Sequence, residues 1–249
     1  MRNRVLFILI SIVCISSADG QPFSGRIEYD RTVYWTKILD ELSYLSQEER
    51  DRTKFAWGKE DGYTTQMELL WNGQKSVYQM SGDQKEKNSQ WSWRNEELYF
   101  FEDRELGTCQ DIVELPDRVY RVEDQIPVYR WKILSDIKEV QGYLCMSAET
   151  YDSVRNHRIV AWFSTEIPVP IGPERYGGLP GAVLELDIQN GSCLIAARAI
   201  RTDTLISVNQ PVRSKKQKVI NNKKLFELQA SYIKQCIAGR RNPYWNLRY

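Results

Sequence analysis

The chain has 249 residues, with 34 Lys and Arg against 33 Asp and Glu, one histidine, five cysteines and 42% hydrophobic residues. This length accommodates a large domain with a substantial core, and the composition excludes wholesale disorder. The net charge of +1 excludes a dedicated nucleic-acid binder, because phosphate contacts require a basic excess. A single histidine argues against a histidine-cluster metal centre, and we expect no cofactor.

The first twenty residues carry an export signal. A basic start, an apolar run over residues 5–15 and small residues after it are typical of a secretory signal peptide covering 1–20. Cleavage after Ala18 or after Gly20 fits equally well. The run is shorter than the roughly 20 residues of a membrane span, and no later segment is long and apolar enough for one. We expect a periplasmic, outer-membrane-associated or extracellular protein, with residues 21–249 as a single domain.

A strand and two short helices are the next predicted elements. Apolar residues alternate over 26–35, which is typical of a half-buried strand. Residues 38–45 have helical spacing. Ser46, followed three residues later by Glu49, resembles a capping box that begins a second short helix ending near Phe55.

The rest of the chain is predicted to be mostly antiparallel sheet. Asn72-Gly73 tolerates positive φ angles and predicts a hairpin over 65–80. Further strands are predicted at residues 98–101, 128–137, 140–148, 158–163, 181–188 and 194–200. These recur at short intervals without helices between them, which favours antiparallel pairing. A final helix is predicted over 225–236, with Gly239 as its C-cap.

Four cysteines remain once Cys14 leaves with the signal: Cys109, Cys145, Cys193 and Cys236. In an oxidising compartment they allow three pairings, and the sequence does not choose among them. None belongs to a CxxC pair, so zinc-ribbon and thioredoxin-like sites lack support. We expect one or two disulfides, with buried free thiols as the alternative.

The second half carries a family resemblance. The pieces are Trp131-Lys132-Ile133, Gly142-Tyr143-Leu144-Cys145, Ala161-Trp162-Phe163, Gly172-Pro173 and Gly178-Leu179-Pro180-Gly181. Their order and spacing resemble the GLPGLI family of exported Bacteroidota proteins, with Ala182-Val183 in place of the final Leu-Ile. Ser76 stands in the upstream hairpin where the family has a serine. The resemblance implies no established activity.

The fold is expected to be α+β and dominated by a curved antiparallel meander sheet with a few packed helices. This expectation rests partly on analogy, because the strand motifs resemble those of the half-barrels of envelope lipoprotein carriers. Those sheets wrap a helical plug over an apolar concave face. Fold analogy does not identify a ligand.

The proline- and glycine-rich segment 164–181 is the most specific candidate site. It is either the rim or lid of a binding cavity or a rigid crossover between strands. For a binding site we select four residues in and beside it: Trp162, Pro173, Leu179 and Pro180.

Candidate catalytic residues have less support from the sequence than the binding segment 164–181. His157 lies in a predicted turn and is expected to be solvated, since no nucleophile motif accompanies it. Carboxylates near segment 164–181 offer a possible acid–base pair, at Glu166, Glu174, Glu185 and Asp187. A solvated sheet face explains Glu185 and Asp187 equally well.

Two further clusters have simple structural explanations. One cluster consists of the aromatic residues Trp91, Trp93 and 99–101. It could line an apolar pocket or form a platform for a sugar. Alternating aromatic residues on strands are more commonly core residues or cross-strand pairs. The basic residues at 215–224 favour a solvated helix start over a lipid-binding surface.

Three functional hypotheses follow. The first is a non-catalytic envelope protein that binds an apolar small molecule or an outer-membrane partner. The second is an extracytoplasmic hydrolase that uses the acidic residues near segment 164–181. The third is an assembly factor for a neighbouring membrane receptor.

Overall fold

The computed structural model describes residues 23–57, 62–82, 98–202, 206–214 and 217–249. The predicted signal peptide, Trp91, Trp93, Lys215 and Lys216 lie outside these ranges.

The described residues form twelve strands and three α-helices. The strands are β1 Ser24–Val33, β2 Tyr63–Asn72, β3 Lys75–Met80, β4 Leu98–Asp103, β5 Thr108–Glu114, β6 Val119–Gln125, β7 Lys132–Val140, β8 Tyr143–Asp152, β9 His157–Ser164, β10 Ala182–Ile188, β11 Cys193–Thr202 and β12 Lys218–Ile220. The helices are α1 Trp35–Glu41, α2 Gln47–Trp57 and α3 Asn222–Ala238. Two 3-10 turns occupy Pro173–Arg175 and Pro243–Trp245.

All twelve strands belong to one sheet, in the order β12-β6-β5-β4-β3-β2-β1-β11-β10-β9-β8-β7. Neighbours pair antiparallel except β12, which pairs parallel with β6. The predicted β-dominated, curved antiparallel sheet is therefore confirmed, with this one parallel exception. Strand β1 lies between the β2–β6 meander and the β7–β11 meander, and it pairs with both β2 and β11.

Local turn and cap signals act as the sequence indicates. The Ser46 Oγ accepts a hydrogen bond from the Glu49 backbone N–H at 3.2 Å and caps α2. The β2–β3 hairpin turns through Gly73, which has φ +58°. A further cap, which was not predicted, is Asn221, whose side chain accepts from the Lys224 N–H at 2.9 Å at the start of α3.

Some predicted boundaries were wrong. The structure has three strands that were not predicted, β5, β6 and β12, and β7 begins at Lys132 instead of Val128. Gly239 is the C-cap of α3, as predicted, with a φ of −86° that is outside the left-handed region.

The core lies along the sheet and under the short helices. Every second residue of β1 is buried from Ile27 onward, and the largest fully buried side chains include Trp71, Tyr29 and Phe163. Helix α1 buries Ile38 and Leu39 against this core. Among the described residues, no helix is both long and apolar enough to cross a bilayer.

All four described cysteines are buried free thiols in the structure, and they lie on four different elements, β5, β8, β11 and α3. The expected disulfides are therefore absent from it. Burial raises the pKa of the Cys109 and Cys145 thiols to about 11. Both thiols are therefore protonated at neutral pH and are poor nucleophiles.

Candidate functional site

Segment 164–181 is a compact crossover between β9 and β10. A Cβ at Gly181 would lie 2.0 Å from the Ser164 carbonyl oxygen, and one at Gly172 would lie 2.1 Å from the Tyr176 carbonyl oxygen. Only glycine permits these backbone approaches. Gly178 has φ +84°, and the next residue, Leu179, is buried. Close backbone contacts and a positive φ angle therefore explain the two glycines of the Gly-Leu-Pro-Gly motif in this protein.

The centre of this crossover is a strained corner. Glu174 has φ +54° and Arg175 has φ +72°, so two consecutive non-glycine residues occupy the left-handed region. Such strain persists only where surrounding contacts hold it in place. Both side chains of this corner are nearly buried and make ion pairs with distant parts of the chain.

Glu174 lies between two arginines. Its carboxylate accepts from the Arg31 Nε at 3.0 Å and from the Arg248 Nε and Nη2 at 2.5–2.9 Å. Burial raises the pKa of this carboxyl, but Arg248 and Arg31 outweigh it, so the pKa lies below its usual range. Glu174 is therefore ionised and fixed, and it is a poor proton donor.

Arg175 makes the second buried pair. Its Nε lies 3.0 Å from the Asp111 Oδ2, and its Nη2 donates to the Asn222 Oδ1 at 2.5 Å. Burial raises the pKa of Asp111 to about 7 despite the neighbouring arginine. The crossover is thus tied to β1 and the C-terminal segment through Glu174, and to β5 and α3 through Arg175.

A cavity of about 200 Å³, which we call the inner cavity, lies between this corner, the β8–β9 turn, α3 and the C-terminal segment. It has an aromatic wall that comprises Phe100, Tyr129, Tyr151, Tyr176, Phe226 and Tyr249. Its charged lining residues are largely paired with each other: Asp152 pairs with Arg155 at 2.9 Å, and Glu174 with Arg248. The cavity therefore offers stacking surface and few free charges.

A larger cavity of about 450 Å³, which we call the loop cavity, lies on the other side of Arg175. Glu102, Arg104 and Arg175 line it from inside, and the backbone of Gly177 and Gly178 borders it. Tyr129 and Arg175 line both cavities and form their common wall. Its volume falls within the range of small-ligand sites.

The four residues selected from the sequence do not line either cavity. Pro173 and Leu179 are buried, Pro180 is exposed, and Trp162 is half-buried beneath the Lys138 Nζ at 4.3 Å from the ring centroid. Their neighbours in the crossover are the residues that border the cavities.

The predicted carboxylates are each held by a different partner. Glu166 accepts from the Leu144 backbone N–H at 3.0 Å, and Glu185 pairs with Lys138 at 2.6 Å. Asp187 accepts from the Gly191 N–H in the β10–β11 turn. In the described chain, no three His, Cys, Asp or Glu side chains form a group that could hold a metal ion.

The expectation that His157 is solvated was wrong. It is buried, its Nε2 lies 3.1 Å from the Tyr244 hydroxyl, and its ring centroid lies 4.2 Å from that of Tyr249. Burial, reinforced by Arg155, lowers its pKa to about 3. The imidazole is therefore neutral at physiological pH and is not poised as a general base near pH 7.

His157 makes the protein acid-sensitive. Because its pKa is lower in the folded than in the unfolded state, its stabilisation is complete above pH 6.5 and declines as the pH falls toward 3. At pH 5 the expected loss is about 2 kcal/mol of unfolding free energy. Urea unfolding from pH 7 to pH 5 checks this, with His157→Gln as the comparison. An equally steep decline in the His157→Gln variant would contradict the assignment.

Sequence reasoning missed the arginines of this region. Arg31, Arg104, Arg175 and Arg248 belong to no motif that indicates a buried charge. The one available signal was Arg175, which follows Gly-Pro-Glu inside the crossover.

Part of the chain matches the model of one protein family. Residues 149–185 match the model of a family described as "Protein of unknown function (Porph_ging)". The match covers the end of β8, all of β9, the crossover and the start of β10. No curated protein matches the chain.

Two solved structures are similar in fold. They are described as "Structure of PNGF-II in C2 space group" and "Structure of PNGF-II in P21 space group". Each has a TM-score of 0.53, with 14% and 16% sequence identity over 84% and 85% of this chain. The chain spans about a third of the length of those proteins, 33% and 34%. This similarity shows a β-rich fold and no more.

Proposed function

We propose that this is an exported, non-catalytic protein of the bacterial envelope that binds a small organic ligand in the crevice formed by the inner cavity and the loop cavity. The observation that carries the proposal is the shared wall. Tyr129 and Arg175 border two adjoining cavities beneath a rigid, ion-paired crossover. Such preformed concave sites with a few placed polar groups are typical of ligand-binding proteins.

Export is part of this proposal. It rests on the basic start, the apolar run and the small residues within positions 1–20. Membership of the GLPGLI family is a further part, supported by the Gly178-Leu179-Pro180-Gly181 motif and its neighbouring strand motifs.

The hydrolase alternative has less support. Its carboxylates are engaged by separate partners, and Glu174 is held ionised by two arginines. An acid–base pair needs one carboxyl with a raised pKa facing a second carboxylate across a cleft.

Partner binding has one observation in its favour. Strands β7 and β8 lie at one end of the sheet and expose large apolar side chains, Ile133, Ile137, Leu144 and Met146. A membrane-protein partner would cover this surface. A photocrosslinker at position 137 should then capture a defined envelope protein, and one at the exposed position 212 should not.

Native mass spectrometry of the protein purified from its own envelope tests the main proposal. We expect a reproducible added mass that is released as one small molecule on unfolding. Tyr129→Ala should lose that mass, because the residue lines both cavities. A chain that carries no added mass would contradict the proposal. The same spectrum reports the cleavage site and the disulfide count.

A further inference from the structure

The wall of the inner cavity is mostly apolar. Besides its aromatic residues, it contains the aliphatic side chains of Leu98, Val113, Val154, Ile188, Leu225 and Leu247. The rings of Tyr129 and Tyr176 lie 4.8 Å apart between centroids at an angle of 45°, and the ring of Tyr249 packs on His157. Aromatic rings attract one another in such tilted and offset arrangements, so fixed ring surfaces favour a ligand that is itself a flat ring.

Two tyrosines of the wall use their hydroxyl groups within the protein. The Tyr176 hydroxyl donates to the Asp152 Oδ2 at 3.4 Å, and the Tyr151 hydroxyl donates to the Asn156 side-chain oxygen. These two residues therefore offer ring surface and no unused hydroxyl. A sugar ring is disfavoured in such a site, because each of its buried hydroxyl groups needs a hydrogen-bond partner.

The charges that line the inner cavity balance. Among the described residues they are three carboxylates and three guanidinium groups: Glu114, Asp152, Glu174, Arg155, Arg175 and Arg248. Asp152 pairs with Arg155, Glu174 pairs with Arg248, and Arg175 pairs with Asp111, which does not line the cavity. Glu114 also interacts with another group of the chain. A charged ligand would either compete with one of these pairs or stay uncompensated, so the lining favours a neutral ligand.

The volume of the inner cavity limits the ligand to about one ring. The cavity measures about 200 Å³, and an apolar cavity of about 150 Å³ accommodates benzene. A single ring with one or two small substituents therefore fits. Tyr151 is 55% exposed and the neighbouring Ser153 is also exposed, so the cavity is reached from solvent at the β8–β9 turn.

We propose that the inner cavity binds a neutral compound with a single aromatic ring, which enters past Tyr151 and stacks among the aromatic side chains of the wall. This inference rests on the proposed ligand-binding function and names the ligand class. The ring lies on the inner side of the wall that Tyr129 and Arg175 share with the loop cavity.

An NMR titration with probes of matched size tests the ligand class. The probes are benzyl alcohol, its charged counterparts benzoate and benzylammonium, its saturated counterpart cyclohexylmethanol, and glucose. We expect benzyl alcohol to bind at least tenfold more tightly than either ion and glucose, and at least threefold more tightly than cyclohexylmethanol. An ion or glucose that binds as tightly as benzyl alcohol would overturn the neutral apolar class. Equal binding of cyclohexylmethanol would overturn the aromatic preference.

Two substitutions test the position of the ring while they keep apolar volume in the wall. Tyr151→Leu and Phe226→Leu should each weaken benzyl alcohol binding at least threefold and reduce its advantage over cyclohexylmethanol. That loss of discrimination separates a stacking contact from a general disturbance of the fold, and circular dichroism checks folding. Phe55→Leu is the matched control, because Phe55 is 92% exposed and lines neither cavity. Unchanged affinity and discrimination in Tyr151→Leu and Phe226→Leu would overturn the proposal.

The failure of this inference and the failure of the proposed function are distinguishable. A charged or non-aromatic molecule released in the mass spectrum overturns the ligand class and leaves the ligand-binding function intact. No released molecule, together with no binding of any of the five probes, overturns both.

Discussion

Replacing Glu174 by Gln is expected to lower the free energy of unfolding by about 3–5 kcal/mol. The neutral amide no longer balances the guanidinium groups of Arg31 and Arg248, whose side chains are only 6% and 12% exposed. An unbalanced buried charge costs more than the lost hydrogen bonds alone. Urea unfolding at pH 7 measures the change.

Glu166→Gln is the matched control for this prediction. Glu166 is exposed and accepts a single backbone hydrogen bond from Leu144. We expect it to change the unfolding free energy by less than about 1 kcal/mol. If Glu174→Gln were as mild as Glu166→Gln, the ion-paired corner would not be the structural centre of the crossover.

Gly181→Ala is expected to destabilise the protein by about 3 kcal/mol, the upper part of the usual range for overpacking. The new Cβ would lie 2.0 Å from the Ser164 carbonyl oxygen and 2.9 Å from the Thr165 backbone nitrogen. Because both atoms belong to the backbone, relief requires a shift of β9 against β10. Thermal and urea unfolding measure the loss.

Gly178→Ala separates the steric effect from the conformational one. Gly178 has φ +84° and nothing within 4 Å of its Cβ position, so only backbone strain opposes the alanine. We expect a loss of about 1 kcal/mol. Equal effects at both positions would mean that the glycines are required for backbone conformation alone and not for a close backbone approach.

Short-range signals predicted much of the sheet correctly. The alternation over β1, the turn glycine Gly73 and the Ser46 cap of α2 all depend on residues within a few positions of each other. Backbone sterics and the two-residue period of a strand determine where these strands, turns and caps form.

Three strands were missed, β5, β6 and β12, and the cause is identifiable for β5. Strand β5 buries Asp111 on the same face as Cys109 and Val113, at a position where the alternating pattern requires an apolar residue. An inward charge is tolerated only when a partner neutralises it, as Arg175 does for Asp111. A pattern of apolar residues cannot anticipate such partners.

The four residues selected from the sequence are not the residues that line the cavities. The crossover is where the sequence indicated, and it borders both cavities. Pro173 and Leu179 proved to be packing residues, and the lining role belongs to Arg175 and Tyr129. His157 is buried because Tyr244 and Tyr249, about 90 residues later in the chain, pack against it.

The sequence by itself determined the strands with regular alternation, the tight turns, the helix caps and the position of the crossover. Only the tertiary structure decided which charges are buried in pairs and which residues line the cavities. The physical reason is separation along the chain: Arg31 and Glu174 are 143 positions apart, and Arg248 and Glu174 are 74 apart. Whether a charged side chain is solvated or buried depends on a partner that only the folded chain brings within hydrogen-bond distance.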